Sequence, residues 1–140
     1  MAGAGAGMGE LNFESLDYVY VPTADVDLAA RRYVDELGAE LVFKVRGMGT
    51  TVACVRVAPT GPAILLSGHL EGSVPILIYR VRDYDAALAR LREAGIAHIH
   101  ELEIPHGPCA SFFVPDGQRV AVYELTRPGA AASFDGRIDD

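Results

Sequence analysis

Two kinds of hydrophobic spacing run along this chain, and their sequence is stated twice. Leu16 to Val21, Glu40 to Arg46, Thr50 to Val57 and Ala63 to Leu66 are short runs rich in apolar and β-branched residues, the signature of strands. Between the first and second of them, Val26, Ala30, Tyr33 and Leu37 recur at helical spacing. The second half repeats the scheme. A strand is predicted over Val74 to Val81, then a stripe of Tyr84, Leu88 and Leu91, then strands over Ala97 to Ile104, Cys109 to Val114 and Arg119 to Val122. The order is strand, helix, strand, strand, strand in each half.

The residues echo as well as the pattern. Ala24-Asp25-Val26-Asp27-Leu28-Ala29-Ala30-Arg31-Arg32-Tyr33 resembles Arg82-Asp83-Tyr84-Asp85-Ala86-Ala87-Leu88-Ala89-Arg90-Leu91. Asp25 and Asp83 suit N-caps, because a carboxylate can accept from the unsatisfied amides of the first turn. Asp27 and Asp85 add negative charge where the helix dipole favours it. Gly38 and Gly95 are the predicted stops. Pro59-Thr60-Gly61 and Pro115-Asp116-Gly117 are turns, each leading into a strand.

One helix on a small sheet leaves the other sheet face bare, so neither half suffices alone. Two halves joined face to face or edge to edge make a curved sheet around a cup, where function would sit. The expected class is α+β, two βαβββ modules forming a curved mixed sheet. A ferredoxin-like domain shares the strand-helix-strand order but lacks the extra strands. Module one spans about 14–70, module two about 74–126.

In this order, Leu16-Asp17-Tyr18-Val19, the Asp25-Val26-Asp27 helix start, Tyr33-Val34-Asp35-Glu36-Leu37-Gly38 and Val114-Pro115-Asp116-Gly117-Gln118-Arg119 resemble the vicinal oxygen chelate superfamily, the glyoxalase and bleomycin-resistance group. The resemblance covers roughly residues 14–126. It implies paired βαβββ modules, often as homodimers, and enzymes whose divalent metal chelates vicinal oxygens of a substrate. The family's metal ligands, from the first and fourth strands of each module, fall here on Tyr18, Leu65, Ile76 and Ala121. Three of these have no donor atom, and a neutral Tyr is a poor ligand. Among the residues one step away, Asp17 alone could coordinate. The expectation is no metal and no cofactor.

If those positions face the cup, alternation adds Tyr20, Ala63, Ser67, Ile78, Arg80, Arg119 and Tyr123 to the same face. Val19, Val21, Ile64, Leu66, Leu77, Val120 and Val122 then lie beneath the helices. A face of Tyr, small apolar residues and two Arg suits an aromatic or largely apolar ligand, with Arg80 or Arg119 pairing a carboxylate or phenolate.

Composition narrows the classes. With 12 Lys+Arg against 19 Asp+Glu, the net charge is −7, unsuited to neutralising nucleic-acid phosphates. No apolar run approaches the ~18–20 residues of a membrane span. Cys54 and Cys109 lie in apolar strand runs and read as buried free thiols in a cytoplasmic protein. Residues 1–13 read as a flexible Gly/Ala leader, and residues 127–140 as a mobile tail, laid on a partner subunit.

Other chemistry is thin. His98 and His100 alternate on one strand, with Glu103 and His106 following, a string resembling part of the cupin motif. The spacing to Glu103 is one short, and Glu103 points to the opposite face. His100 remains a candidate general base. His69 falls in the link between modules. Cys54, Cys109, Ser67 and Ser111 have no identifiable partner for nucleophilic catalysis. Gly47-Met48-Gly49 reads as a hairpin turn.

The leading expectation is a metal-independent binding protein that sequesters an aromatic or apolar natural product, as in antibiotic resistance. Its ligand residues would be Tyr18, Tyr20, Leu65, Ser67, Ile76, Ile78, Arg80, Arg119, Ala121 and Tyr123. The alternative is an isomerase, lyase or cyclase using Tyr and His acid–base chemistry, with Tyr18 and His100 as catalytic candidates. A pure assembly module is the third class. The ligand's identity, and whether the cup forms within one chain or across two, stay open.

Overall fold

The computed structural model describes residues 13–47, 49–68, 74–115 and 117–139. Residues 1–12 of the expected leader, Met48 of the predicted hairpin turn, His69 and Asp116 lie outside them, while Phe13 belongs to the first strand. Module one comprises β1 (Phe13–Pro22), α1 (Val26–Leu37), β2 (Glu40–Gly47), β3 (Thr50–Arg56) and β4 (Ala63–Ser67). Module two comprises β5 (Ile76–Val81), α2 (Tyr84–Glu93), β6 (His100–Ile104), β7 (Gly107–Phe113) and β8 (Arg119–Tyr123), and α3 (Gly129–Phe134) follows. The predicted element order stands.

The helices begin where the sequence caps them. Asp25 accepts from the Leu28 amide at 3.0 Å and Asp83 from the Ala86 amide at 3.1 Å. Gly38 ends α1 in the left-handed region, φ 69°. Leu37 departs from expectation. It is 60% exposed, because α1 turns its last residue away from the sheet while Val26 and Ala30 stay buried.

All eight strands form one sheet in the order β2-β3-β4-β1-β5-β8-β7-β6. Each module pairs its first strand in parallel with its fourth, β1 with β4 and β5 with β8. The modules join edge to edge through the antiparallel β1–β5 pair, within a single chain. One face carries both helices. Val21, Ile64 and Leu66 pack under α1, and Val120, Val122 and Ala110 under α2. The other face is the cup. There Ile76, Ile78, Cys109, Ala121 and Tyr123 form a buried cluster with no helix over it, flanked by Tyr18 and Tyr20.

Two predicted boundaries change. The strand expected from Ala97 begins at His100, since His98 sits at φ 56°, which no strand tolerates. Residues 127–139 follow β8. They form α3 and then join the outer edge of β2, with the Lys44 amide donating to the Arg137 carbonyl at 2.8 Å and the Asp139 amide to the Lys44 carbonyl at 2.7 Å. Phe134 packs on Phe43 at a ring separation of 5.6 Å. Phe43 is opposite Cys54, and Cys54 opposite Leu65, so this strap reaches the cup face of module one.

Candidate functional site

Strand register brings the predicted cup residues together. Tyr18 pairs with Ala63 on one side and Ile78 on the other, Tyr20 with Leu65 and Ile76, Ile78 with Ala121, Ile76 with Arg119, and Arg80 with Tyr123. Directly paired side chains leave a sheet on the same side, so these residues share one face. Ser67 is on it too, fully buried.

Regular alternation fails at two places in β1, and both matter. The register with β5 shifts between Phe13 and Ser15 and again between Leu16 and Tyr18. Glu14 and Asp17 are therefore the extra residues of two bulges, which re-aim side chains out of the pleat. Both carboxylates reach Arg80, whose Nε is 3.5 Å from Glu14 and 3.6 Å from Asp17. Arg80 thus lies among the protein's own acids, while its Nε is buried and hydrogen-bonds to neither of them.

Asp17 is the hub of a polar cluster on the cup floor. The Tyr123 hydroxyl donates to its Oδ2 at 2.5 Å and the Ser15 hydroxyl to its Oδ1 at 2.5 Å. The Tyr18 hydroxyl lies 3.4 Å from His106 Nε2, and the His106 ring stands edge-on to Tyr123 at 5.9 Å. His106 occupies the β6–β7 turn, whose backbone is held from the far side. The His106 carbonyl accepts from the amides of Thr126 and Arg127, each at 3.0 Å.

Burial sets the proton affinities. It pushes the Tyr18 phenol above its ordinary range, helped by the Cys54 and Asp17 charges. Tyr123 is raised further, by burial and then by its bond to Asp17. Burial lowers His106, opposed by Asp17 and assisted by Arg127. The cluster therefore holds a neutral imidazole beside neutral phenols at neutral pH.

His100, the other catalytic candidate, is elsewhere. It is exposed on β6, the outermost strand of module two, four strands from β1. His106 and Asp17 lie in the cup cluster, where the sequence reading did not place them.

A divalent metal does not fit the family's position. Leu65, Ile76 and Ala121 offer only hydrocarbon there, and Tyr18 is turned to His106. Among the described residues no group of three or more His, Cys, Asp or Glu could hold a metal ion. A second concavity of about 540 Å³ lies outside the cup, between α1 and β2. Its Lys44 and Arg46 both pair with Asp27, and Arg31 and Asp35 also line it, a surface ion cluster unlike the cup floor.

The topology and cup define a protein with the fold of the vicinal oxygen chelate superfamily, as the sequence resemblance implied. No protein-family model matches the chain, and no curated protein does. Among solved structures it is similar to methylmalonyl-CoA epimerase from Mycobacterium tuberculosis, at 26% identity over 86% of this chain and 93% of that one, with a TM-score of 0.67. A methylmalonyl-CoA epimerase in complex with methylmalonyl-CoA and NH4+ matches at 15% identity over 81% and 96%, TM-score 0.64. A glyoxalase/bleomycin resistance protein/dioxygenase superfamily member from Vibrio splendidus 12B01 matches at 17% identity over 76% and 96%, TM-score 0.60. No helix among the described residues is long and apolar enough to cross a membrane.

Proposed function

We propose that this protein is a small-molecule enzyme of the isomerase or lyase type, moving a proton at a carbon next to a carbonyl without a divalent metal. The observation that carries the reading is the Tyr18–His106–Tyr123–Asp17 cluster on an otherwise apolar cup floor. Neutral His106 can accept a proton from carbon. The Tyr18 hydroxyl can donate to the oxygen on which negative charge develops, in a site that water reaches poorly. Asp17 fixes Tyr123, which packs against both rings. Two solved relatives are named as methylmalonyl-CoA epimerases, and epimerisation is the removal and return of a proton at carbon, which agrees with this reading.

The test is deuterium uptake from heavy water into carbonyl acids and thioesters, followed by NMR. Uptake is expected to survive chelator and to fall at least about a hundredfold in His106→Gln and Tyr18→Phe, the usual worth of an acid–base group. Undiminished uptake in both variants, or its loss on chelation, contradicts the proposal.

A sequestering binding protein is the second reading, favoured by the tyrosines and small apolar residues of the remaining floor. Saturable binding of an aromatic natural product with no turnover would select it. A homodimer is proposed with either, on the exposed Leu102 (41%) and Phe113 (57%) at the outer edge of module two, and light scattering reads it directly. The two free thiols suit a cytoplasmic setting.

A further inference from the structure

His106 is aimed into the cup by its backbone. Among the described residues its side chain makes one hydrogen bond, to the Tyr18 hydroxyl at 3.4 Å, too long to orient an imidazole by itself. The direction of the ring is set by the two-residue turn, Pro105 and His106, that joins Ile104 to its strand partner Gly107. Three successive carbonyls of this segment accept from one residue. Arg127 donates from Nη2 to the Ile104 carbonyl at 2.7 Å, from Nε to the Pro105 carbonyl at 2.8 Å, and from its amide to the His106 carbonyl at 3.0 Å. Its Nη2 also pairs with Glu103, on the strand that leads into the turn.

We propose that Arg127 is the positioning residue for His106, gripping the β6–β7 turn so that the imidazole stands against Tyr18. Nε and Nη2 of a guanidinium are donors fixed in one plane, a fork that usually meets the two oxygens of a carboxylate. Here the fork meets two consecutive backbone carbonyls. The Pro105 and His106 carbonyls belong to the peptide planes on either side of the His106 Cα, so both planes are held and the side chain leaves in one direction. Pro105 removes a further freedom by fixing its own φ. Half of the Arg127 side chain is exposed, and its hydrogen bonds go to the turn and to Glu103, so it acts through His106 and does not meet the reacting atoms. His106 is faced by Asp17 and Tyr18 from β1 and by Tyr123 from β8, with Arg127 behind it and Glu103 beyond. Burial and the Arg127 charge lower the imidazole, and Asp17 opposes them. The role rests on the proton-transfer reading, in which a base displaced by a bond length loses its reach to carbon.

The experiment follows the His106 ring by NMR in the full chain, with no ligand added, in variants whose circular dichroism matches the parent. In Arg127→Gln the nuclear Overhauser contacts between the His106 and Tyr18 rings are expected to weaken at least about threefold, as the ring leaves its place. A pH titration of the ring is expected to show its pKa rising toward 6.5, because both the burial and the positive charge that lower it are lost. Arg127→Lys keeps the charge but not the fork, and is expected to weaken the contacts with a smaller rise in pKa. Should Arg127→Gln fail to fold, Arg127→Lys decides by the same contacts. Arg92→Gln, which breaks the ion pair with Glu101 on the same strand, is expected to leave the ring alone. Ring contacts and pKa matching the parent in Arg127→Gln, or the same loss in Arg92→Gln, overturn the proposal. The ring readout needs no turnover, so its failure leaves the deuterium-uptake test standing, and a parent that takes up no deuterium strikes the proton-transfer reading while the placing of His106 by Arg127 is still decided here.

Discussion

Tyr123 and Asp17, 106 residues apart, are joined by a 2.5 Å hydrogen bond across the floor of the cup. Tyr123 is 2% exposed, so its hydroxyl has no water to fall back on. Tyr123→Phe removes the donor and leaves the Asp17 carboxylate short of a partner. Urea denaturation is expected to report a loss of about 1–3 kcal/mol. Ser15→Ala removes the other donor nearer solvent and is expected to lose less. Equal stability of Tyr123→Phe and the parent would contradict this account of the floor.

His106 gives the pH dependence its sign. Burial lowers the imidazole in the folded protein below its ordinary 6.5, so on acidification the unfolded chain takes up the proton first. The unfolded state then binds more protons, and unfolding free energy falls as pH drops through about 6.5. This contribution is absent above that value. Urea midpoints on either side of it, in the parent and in His106→Gln, are the check, with the His106-dependent part of the slope expected to vanish in the variant. The same deprotonated imidazole is the proposed base, so deuterium uptake is expected to decline on an acid limb set by a pKa below 6.5.

The two faces of the sheet were legible because a strand's side chains alternate and a helix-bearing face must be apolar. Val19 to Val122 fell on the helix side and Tyr18 to Tyr123 on the cup side for that reason alone. Asp17 was not legible. Straight alternation puts it beside Val19, under the helices, and only the bulge before Tyr18 sends its carboxylate to Tyr123. His106 follows Pro105 in a turn, and its orientation comes from contacts with Thr126 and Arg127 that no local pattern encodes. His100 met the alternation rule but belongs to the outermost strand, and strand order is a tertiary property. The strap's place on β2 was not legible, because its Gly/Ala-rich sequence lacks periodicity, with Phe134 and Ile138 its only apolar anchors of size.

Cys54 and Cys109 both belong to the cup face, and burial pushes their thiols up to about 12 and about 11. The thiolate is the reactive form, so both are expected to resist iodoacetamide at about pH 8 in the folded protein and to react fully in denaturant. Mass spectrometry counts the adducts. Rapid labelling of Cys54 alone in the native state would mean that the strap opens the cup of module one to reagents.

Removing residues 128–140 tests what that strap does for module one. It satisfies the Lys44 amide through the Arg137 carbonyl and the Arg46 amide through Asp139, and it covers Phe43. Without it β2 becomes an open edge. Amide exchange at Lys44 and Arg46 is expected to accelerate at least about tenfold while β7 and β8 stay protected, since stability is locally distributed. Uniform acceleration throughout the sheet would instead make the strap part of the global fold.

Two glycine substitutions separate close approach from backbone strain. At Gly107, φ 154°, a Cβ would lie 2.1 Å from the Glu124 carbonyl oxygen and 2.8 Å from Thr126 Oγ1. The oxygen belongs to backbone that cannot swing aside without dragging the Thr126 and Arg127 amides off His106. Gly117, φ 92°, meets nothing within 4 Å, so alanine there bears only its unfavourable dihedral. Gly117→Ala is expected to cost about 1–2 kcal/mol and Gly107→Ala about 3 kcal/mol or more. Only Gly107→Ala is expected to move the His106 ring signals, because it displaces the turn that holds the imidazole against Tyr18. If Gly107→Ala left those signals in place, the clamp on His106 would lie elsewhere than at the β7–β8 exit.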